Sequence, residues 1–195
     1  MQSVYILLTR TTTVFSKLIH MATADDYTHI SISADPELRT FYSFGRKKAG
    51  LPFPAGFILE GLGRGYFGRH PHTRCCLYEL QVESAAYMRI RNRLREMENG
   101  AAQYKYSVLG ILFCMMDLDV RRGRHYFCSQ FVGDLLEGSG ALLLPKPASL
   151  MRPGDYKKLP QLVRRYSGDV RGLLRQHRQN SVFMRNEMRE ERNAV

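Results

Sequence analysis

Apolar and polar positions in this chain fall into runs of strand length alternating with runs at helical spacing. Residues 3–9 are apolar and rich in β-formers, which predicts a first strand. Val14, Phe15, Leu18, Ile19 and Met21 recur near helical spacing, so a helix over 11–24 is expected to pack on that strand. Residues 27–33 alternate. Tyr27, His29, Ser31 and Ser33 share one side, expected to face a polar cleft, and Thr28, Ile30 and Ile32 share the other, expected to face a core. A turn at Ala34-Asp35-Pro36-Glu37 then sends the chain back through a strand over 39–44.

Residues 45–54 read as a basic, Gly/Pro-punctuated loop and 55–59 as a short strand. The glycine-rich stretch Gly61-Leu62-Gly63-Arg64-Gly65 is read as flexible and not followed by a helix, which excludes a phosphate loop. Residues 74–83 form the strongest strand pattern in the middle of the chain. Ser84 is placed as N-cap of a helix that ends near Asn99-Gly100, where both residues tolerate the left-handed conformation. Residues 106–116 read as an apolar helix, and 127–136 as a helix with Cys128 in its first turn, stopped by Gly138-Ser139-Gly140. Residues 162–173 are read as a hairpin around Ser167-Gly168-Asp169, with a helix as the alternative. One domain over 1–175 is expected, followed by a polar, charged tail or helix over 176–195.

Composition narrows the function classes. An apolar fraction of 44% is that of a globular chain. The first apolar run is too short for a signal-peptide core or a membrane span, so a cytoplasmic protein is expected. The four cysteines, Cys75, Cys76, Cys114 and Cys128, have no zinc-ligand spacing. His70 and His72 flank Pro71 without metal-ligand companions, so no metal or cofactor is expected. A net charge of +11 points to an anionic polymer or a membrane surface as partner. Its basic residues carry no specific nucleic-acid motif.

The chemistry lies in two segments. A thiol needs a base or a positive dipole to ionise at neutral pH, and a helix start together with a histidine supplies both. Cys128 and His29 are therefore the candidate nucleophile and base, if the fold joins them, with His20 and His125 as competing bases. The histidine strand, the hairpin segment Phe41-Tyr42-Ser43-Phe44-Gly45-Arg46, the segment Tyr104-Lys105-Tyr106 and the run Phe127-Cys128-Ser129-Gln130-Phe131-Val132 stand in an order with His before Cys. That set, over residues 4–147, resembles the circularly permuted branch of the NlpC-type papain-like superfamily. The branch holds bacterial amidase-like proteins and shares its topology with lecithin–retinol acyltransferase.

The resemblance implies an α+β papain-like fold in which an antiparallel sheet packs against helices and the nucleophile sits at a helix N-terminus. It implies a cysteine hydrolase or acyltransferase acting on a peptide, amide or acyl substrate. Cys128 would attack, His29 would shuttle the proton, and the backbone N–H of Cys128 would help hold the oxyanion. A third polar residue, on the strand after the histidine strand, would orient His29. A two-residue turn pairs His29 with Tyr42 and one extra loop residue pairs it with Ser43, and Ser43 is taken. The rival readings are a noncatalytic binding module that kept the fold and a basic nucleic-acid-binding protein.

Overall fold

The structure, a computed structural model, describes residues 1–11, 26–47 and 54–179. All but the first residue of the helix expected over 11–24, His20 within it and most of the charged tail lie outside these residues.

The chain is α+β, with helices packed on an eight-stranded mixed sheet. The strands are β1 (Gln2–Thr9), β2 (His29–Ser33), β3 (Phe41–Arg46), β4 (Ala55–Glu60), β5 (Arg74–Val82), β6 (Lys105–Tyr106), β7 (His125–Tyr126) and β8 (Val163–Asp169). Their order is β7-β6-β4-β3-β2-β1-β5-β8, antiparallel throughout except for β6 and β7, which run parallel. The helices are α1 (Gly65–Arg69), α2 (Ser84–Asn99), α3 (Val108–Met115), α4 (Cys128–Gly138) and α5 (Pro153–Tyr156), with a further helix over 170–179.

The central strands are buried on both faces. Ile6, Leu7 and Leu8 are consecutive and all fully buried, and since neighbours on a strand point oppositely, both faces must be covered. One core holds Leu8, Ile30, Ile32 and Phe44 with Phe131, Val132 and Leu135 of α4 and Ile90 and Leu94 of α2. A second holds Leu7, Phe41 and Leu77 with Phe67 of α1 and Val170 and Leu173 of the helix over 170–179. This covering removes the polar cleft expected beside β2: Ser31 and Ser33 are fully buried.

Three local expectations are corrected. A five-residue helix, α1, does follow the glycine-rich stretch, though no side chain caps it. Residues 162–173 form neither a hairpin nor one helix. The backbone through Ser167-Gly168-Asp169 stays extended because it pairs with β5, Cys75 lying opposite Gly168, and the helix begins only at Val170. Ser84 is the first residue of α2, not its cap, which is Glu83.

Helix α4 is held to the body by a close approach. A Cβ built at Gly133 would lie 2.8 Å from Ala148 Cβ, 2.9 Å from Leu144 Cδ1 and 2.9 Å from Tyr156 Oη. Tyr156, fully buried, donates from Oη to the Ser129 carbonyl at 2.6 Å and so pins the first turn of α4. Gly133→Ala is expected to destabilise the fold by about 1–3 kcal/mol, as overpacking does. Urea unfolding would read this as a lower midpoint at unchanged slope.

Candidate active site

Cys128 is the first residue of α4, at 4% exposure. The preceding N-cap, Phe127, is extended and gives no side-chain hydrogen bond, and the first helical bond runs from Phe131 N–H to Phe127 C=O. The N–H groups of Cys128, Ser129 and Gln130 therefore have no intrahelical acceptor, and the positive end of the helix dipole lies at the thiol. An uncapped helix start buried in the protein, with a cysteine on it, is suited to holding negative charge.

His29 opens β2, opposite Thr9 of β1. Its Nε2 lies 3.0 Å from Glu60 Oε2 at the end of β4, and both side chains are 12% exposed. Cys128 lies near the same imidazole and acts on it through its side chain. Glu60 occupies Nε2, which leaves Nδ1 as the ring nitrogen for the thiol. Burial disfavours the imidazolium, but the Glu60 carboxylate and the Cys128 side chain outweigh it and hold the His29 pKa well above the ordinary imidazole value. The His29 imidazole is thus hydrogen-bonded to the Glu60 carboxylate and has the Cys128 thiol as a neighbour.

Two phenols complete the surroundings. Burial and the nearby Cys128 push Tyr106 far up, with Arg46 acting the other way, so its hydroxyl stays protonated beside the sulfur. Tyr156 is raised by burial and then by Cys128. A cavity of about 30 Å³ adjoins the thiol, walled by Thr28, Ile111, Cys114, Met115, Phe127 and Arg152 among others.

The two principal sequence candidates meet, and the third does not join them. Ser43 is fully buried and donates from Oγ to the Ile30 carbonyl at 2.6 Å. The physical reason is register. Ile32 pairs with Tyr42, so counting back three residues sets His29 opposite Gly45. A Cβ built at Gly45 would lie 3.8 Å from His29 Cε1. The strand beside His29 thus presents no side chain, and the polar partner comes from one strand further, as Glu60.

The loop is wider than a two-residue turn because Asp35 organises it. Its carboxylate accepts from the backbone N–H of Glu37 and Arg39, and from the Arg39 guanidinium. Leu38 takes a positive φ of 48°. Tyr27 also leaves the expected cleft and joins the core at 6% exposure.

Three other histidines are engaged elsewhere. His125 contacts the Gly123 carbonyl through Nδ1, His72 pairs with Asp169, and His70 stacks on Tyr66. Among the described residues no group of three His, Cys, Asp or Glu side chains is placed to hold a metal ion.

Sequence reasoning missed Glu60, Tyr106 and Tyr156. Glu60 did carry a signal: it is the acidic residue that closes an otherwise apolar strand, Ala-Gly-Phe-Ile-Leu-Glu. Comparison of the chain with protein-family models and with curated proteins finds no match.

Proposed function

We propose that the protein is a cysteine hydrolase or acyltransferase acting on an amide, ester or thioester bond, with Cys128 as nucleophile, His29 as acid–base and Glu60 in the orienting role first given to Ser43. The observation that carries the reading is a His29–Glu60 pair whose imidazole has Cys128, at the uncapped start of α4, as a neighbour acting on it. The order of histidine strand before cysteine helix, on an α+β frame, further supports membership of the permuted NlpC-type papain-like branch.

The chemistry follows from the raised imidazole pKa. A His29 held protonated beside a thiol favours a thiolate–imidazolium pair over two neutral groups. The Cys128 thiolate attacks the carbonyl carbon of a peptide, amide or acyl substrate. The oxyanion forms beside the free N–H groups of the first turn, with the neutral Tyr106 phenol nearby as a further donor. The imidazolium gives its proton to the leaving amine, alcohol or thiol as the C–X bond breaks, leaving an acyl-thioester on Cys128. Water or an acceptor alcohol then loses a proton to His29 and attacks the thioester, and the thiolate departs. Glu60 compensates the positive charge in the states where His29 carries two ring protons.

All four cysteines are free thiols, which suits a reducing compartment and supports placing the protein in the cytoplasm.

The test is competitive alkylation with iodoacetamide, followed by mass mapping. Cys128 is expected to react first at neutral pH. Burial pushes Cys75 up to about 12 and raises Cys114, so both remain thiols there. Cys128 alkylation should also slow in His29→Ala. Equal labelling of Cys128 and Cys75 would favour the noncatalytic binding module.

A further inference from the structure

Helix α3, Val-Leu-Gly-Ile-Leu-Phe-Cys-Met, carries no charged or amide side chain on any face. A helix apolar all round belongs in a core or against lipid. Its inner side is in a core: Ile111 and Cys114 are buried against Phe127. Its outer side is open. Leu109 is 49% exposed, Leu112 41% and Met116, just after the helix, 68%. The spacing of three and then four residues puts these on one stripe, and Leu118 and Val120 continue the exposed apolar surface into the following loop. Scattered surface leucines are ordinary, but five large apolar side chains within twelve residues form a patch that calls for a partner.

Charge identifies the partner. The patch runs directly into Arg121, Arg122 and Arg124, all exposed, with exposed Lys105 beside them, since its N–H bonds the Arg124 carbonyl. The two acids inside the patch are already engaged. Asp117 faces Arg152 at 3.6 Å, and Asp119 faces Arg121 at 3.6 Å and accepts from the Ser149 hydroxyl. Among the described residues Arg122, Arg124 and Lys105 have no ion pair; Arg124 donates to the Gln103 amide oxygen.

We propose that the outer stripe of α3 and the loop to Arg124 form a docking surface for an anionic lipid interface. The apolar side chains would enter the acyl boundary, and the basic rim would meet the headgroups. Shallow insertion of an amphipathic surface combined with a basic cluster is the two-part signal that holds peripheral proteins on membranes. The placement has a consequence for the candidate active site. Ile111, Cys114 and Met115, from the inner side of the same helix, wall the cavity that reaches Cys128, so docking would set the helix that encloses that cavity against the lipid surface.

The inference does not depend on Cys128 chemistry, and its test reads partition, not turnover. The full chain is sedimented with vesicles of phosphatidylcholine alone and of phosphatidylcholine with about 30% phosphatidylserine. Partition should be roughly tenfold or more stronger on the anionic vesicles and should weaken with salt. Leu112→Ser/Met116→Ser and Arg122→Gln/Arg124→Gln should each lower it by roughly tenfold.

Loss in the arginine variant alone would overturn the proposal in favour of simple adsorption of a basic surface. Absence of partition, with a dimer that the Leu112→Ser/Met116→Ser variant dissolves, would make the patch a contact between two copies. A lowered melting temperature in that variant with unchanged partition would mean that the chain itself uses the stripe. Equal partition of the wild type on both vesicle types would overturn the proposal outright.

Discussion

Cys128→Ser and His29→Ala should each remove the burst and turnover of an activated ester such as p-nitrophenyl acetate while leaving the fold intact. The serine hydroxyl is isosteric with the thiol to within one larger atom, so packing at the start of α4 is kept. A hydroxyl, however, is far harder to ionise than a thiol, so the same geometry gives little nucleophile at neutral pH. Removing His29 takes away the proton acceptor, the countercharge to the thiolate and the acid that releases the leaving group. General acid–base loss alone is worth roughly 10²–10⁴-fold. The double variant should be barely slower than either single one, because the two groups act as a unit. Mass spectrometry of the quenched wild type should find the acyl group on Cys128. Turnover that survives Cys128→Ser unchanged would mean that this cysteine only packs.

What could be read in the sequence and what could not divide along physical lines. Cys128 and His29 were legible because each depends on local pattern: a helix-starting run punctuated upstream by Arg-Gly-Arg, and a strand whose period of two isolates one histidine. The C-terminal boundary of α2 was legible for the same reason, since sixteen residues at helical spacing end at Asn99-Gly100. Pairing register is not local. The β2–β3 connection was taken as a tight turn because Asp-Pro favours one. Asp35 instead caps a longer loop through its carboxylate, and Ile32 comes to lie opposite Tyr42.

That shift moves Gly45, not Ser43, next to His29, and the side chain that bonds the imidazole is Glu60, two strands away. The burial of both sheet faces was likewise hidden. Ser31, Ser33 and Ser43 look solvent-facing in the sequence, yet all three are fully covered in the fold. The course of β8 straight through Ser167-Gly168-Asp169, read as a hairpin turn, escaped because the residues of β8, Val-Arg-Arg-Tyr-Ser-Gly-Asp, are mostly exposed on an edge and show no apolar alternation. Its pairing with β5 comes from backbone hydrogen bonds that leave no mark on side-chain choice.

Glu60→Gln should separate the orienting role of Glu60 from mere packing, because it acts on a titration. In the wild type the Glu60 carboxylate and the Cys128 side chain raise His29 well above its ordinary value against the opposing effect of burial. A folded-state pKa above the unfolded one adds stability that is full below the ordinary imidazole value, near 6.5. That stability is lost as pH rises through the raised value. Wild-type stability from urea unfolding should therefore fall across that alkaline window.

In Glu60→Gln the carboxylate is gone and burial remains, so the His29 pKa drops and the alkaline loss of stability flattens. One unit of pKa is a factor of ten in the imidazolium-to-imidazole ratio. A drop of a unit or more should cost at least about tenfold in Cys128 alkylation and acylation wherever the imidazolium is the depleted form. The His29 Cε1 proton resonance reports the pKa directly. Ser43→Ala is the control. It removes the hydroxyl that bonds the Ile30 carbonyl, so it should cost about 1 kcal/mol of stability and leave the His29 titration where it was. A His29 titration curve that Glu60→Gln leaves in place, or that Ser43→Ala moves, would sink the assignment of Glu60 as the residue that holds the imidazole.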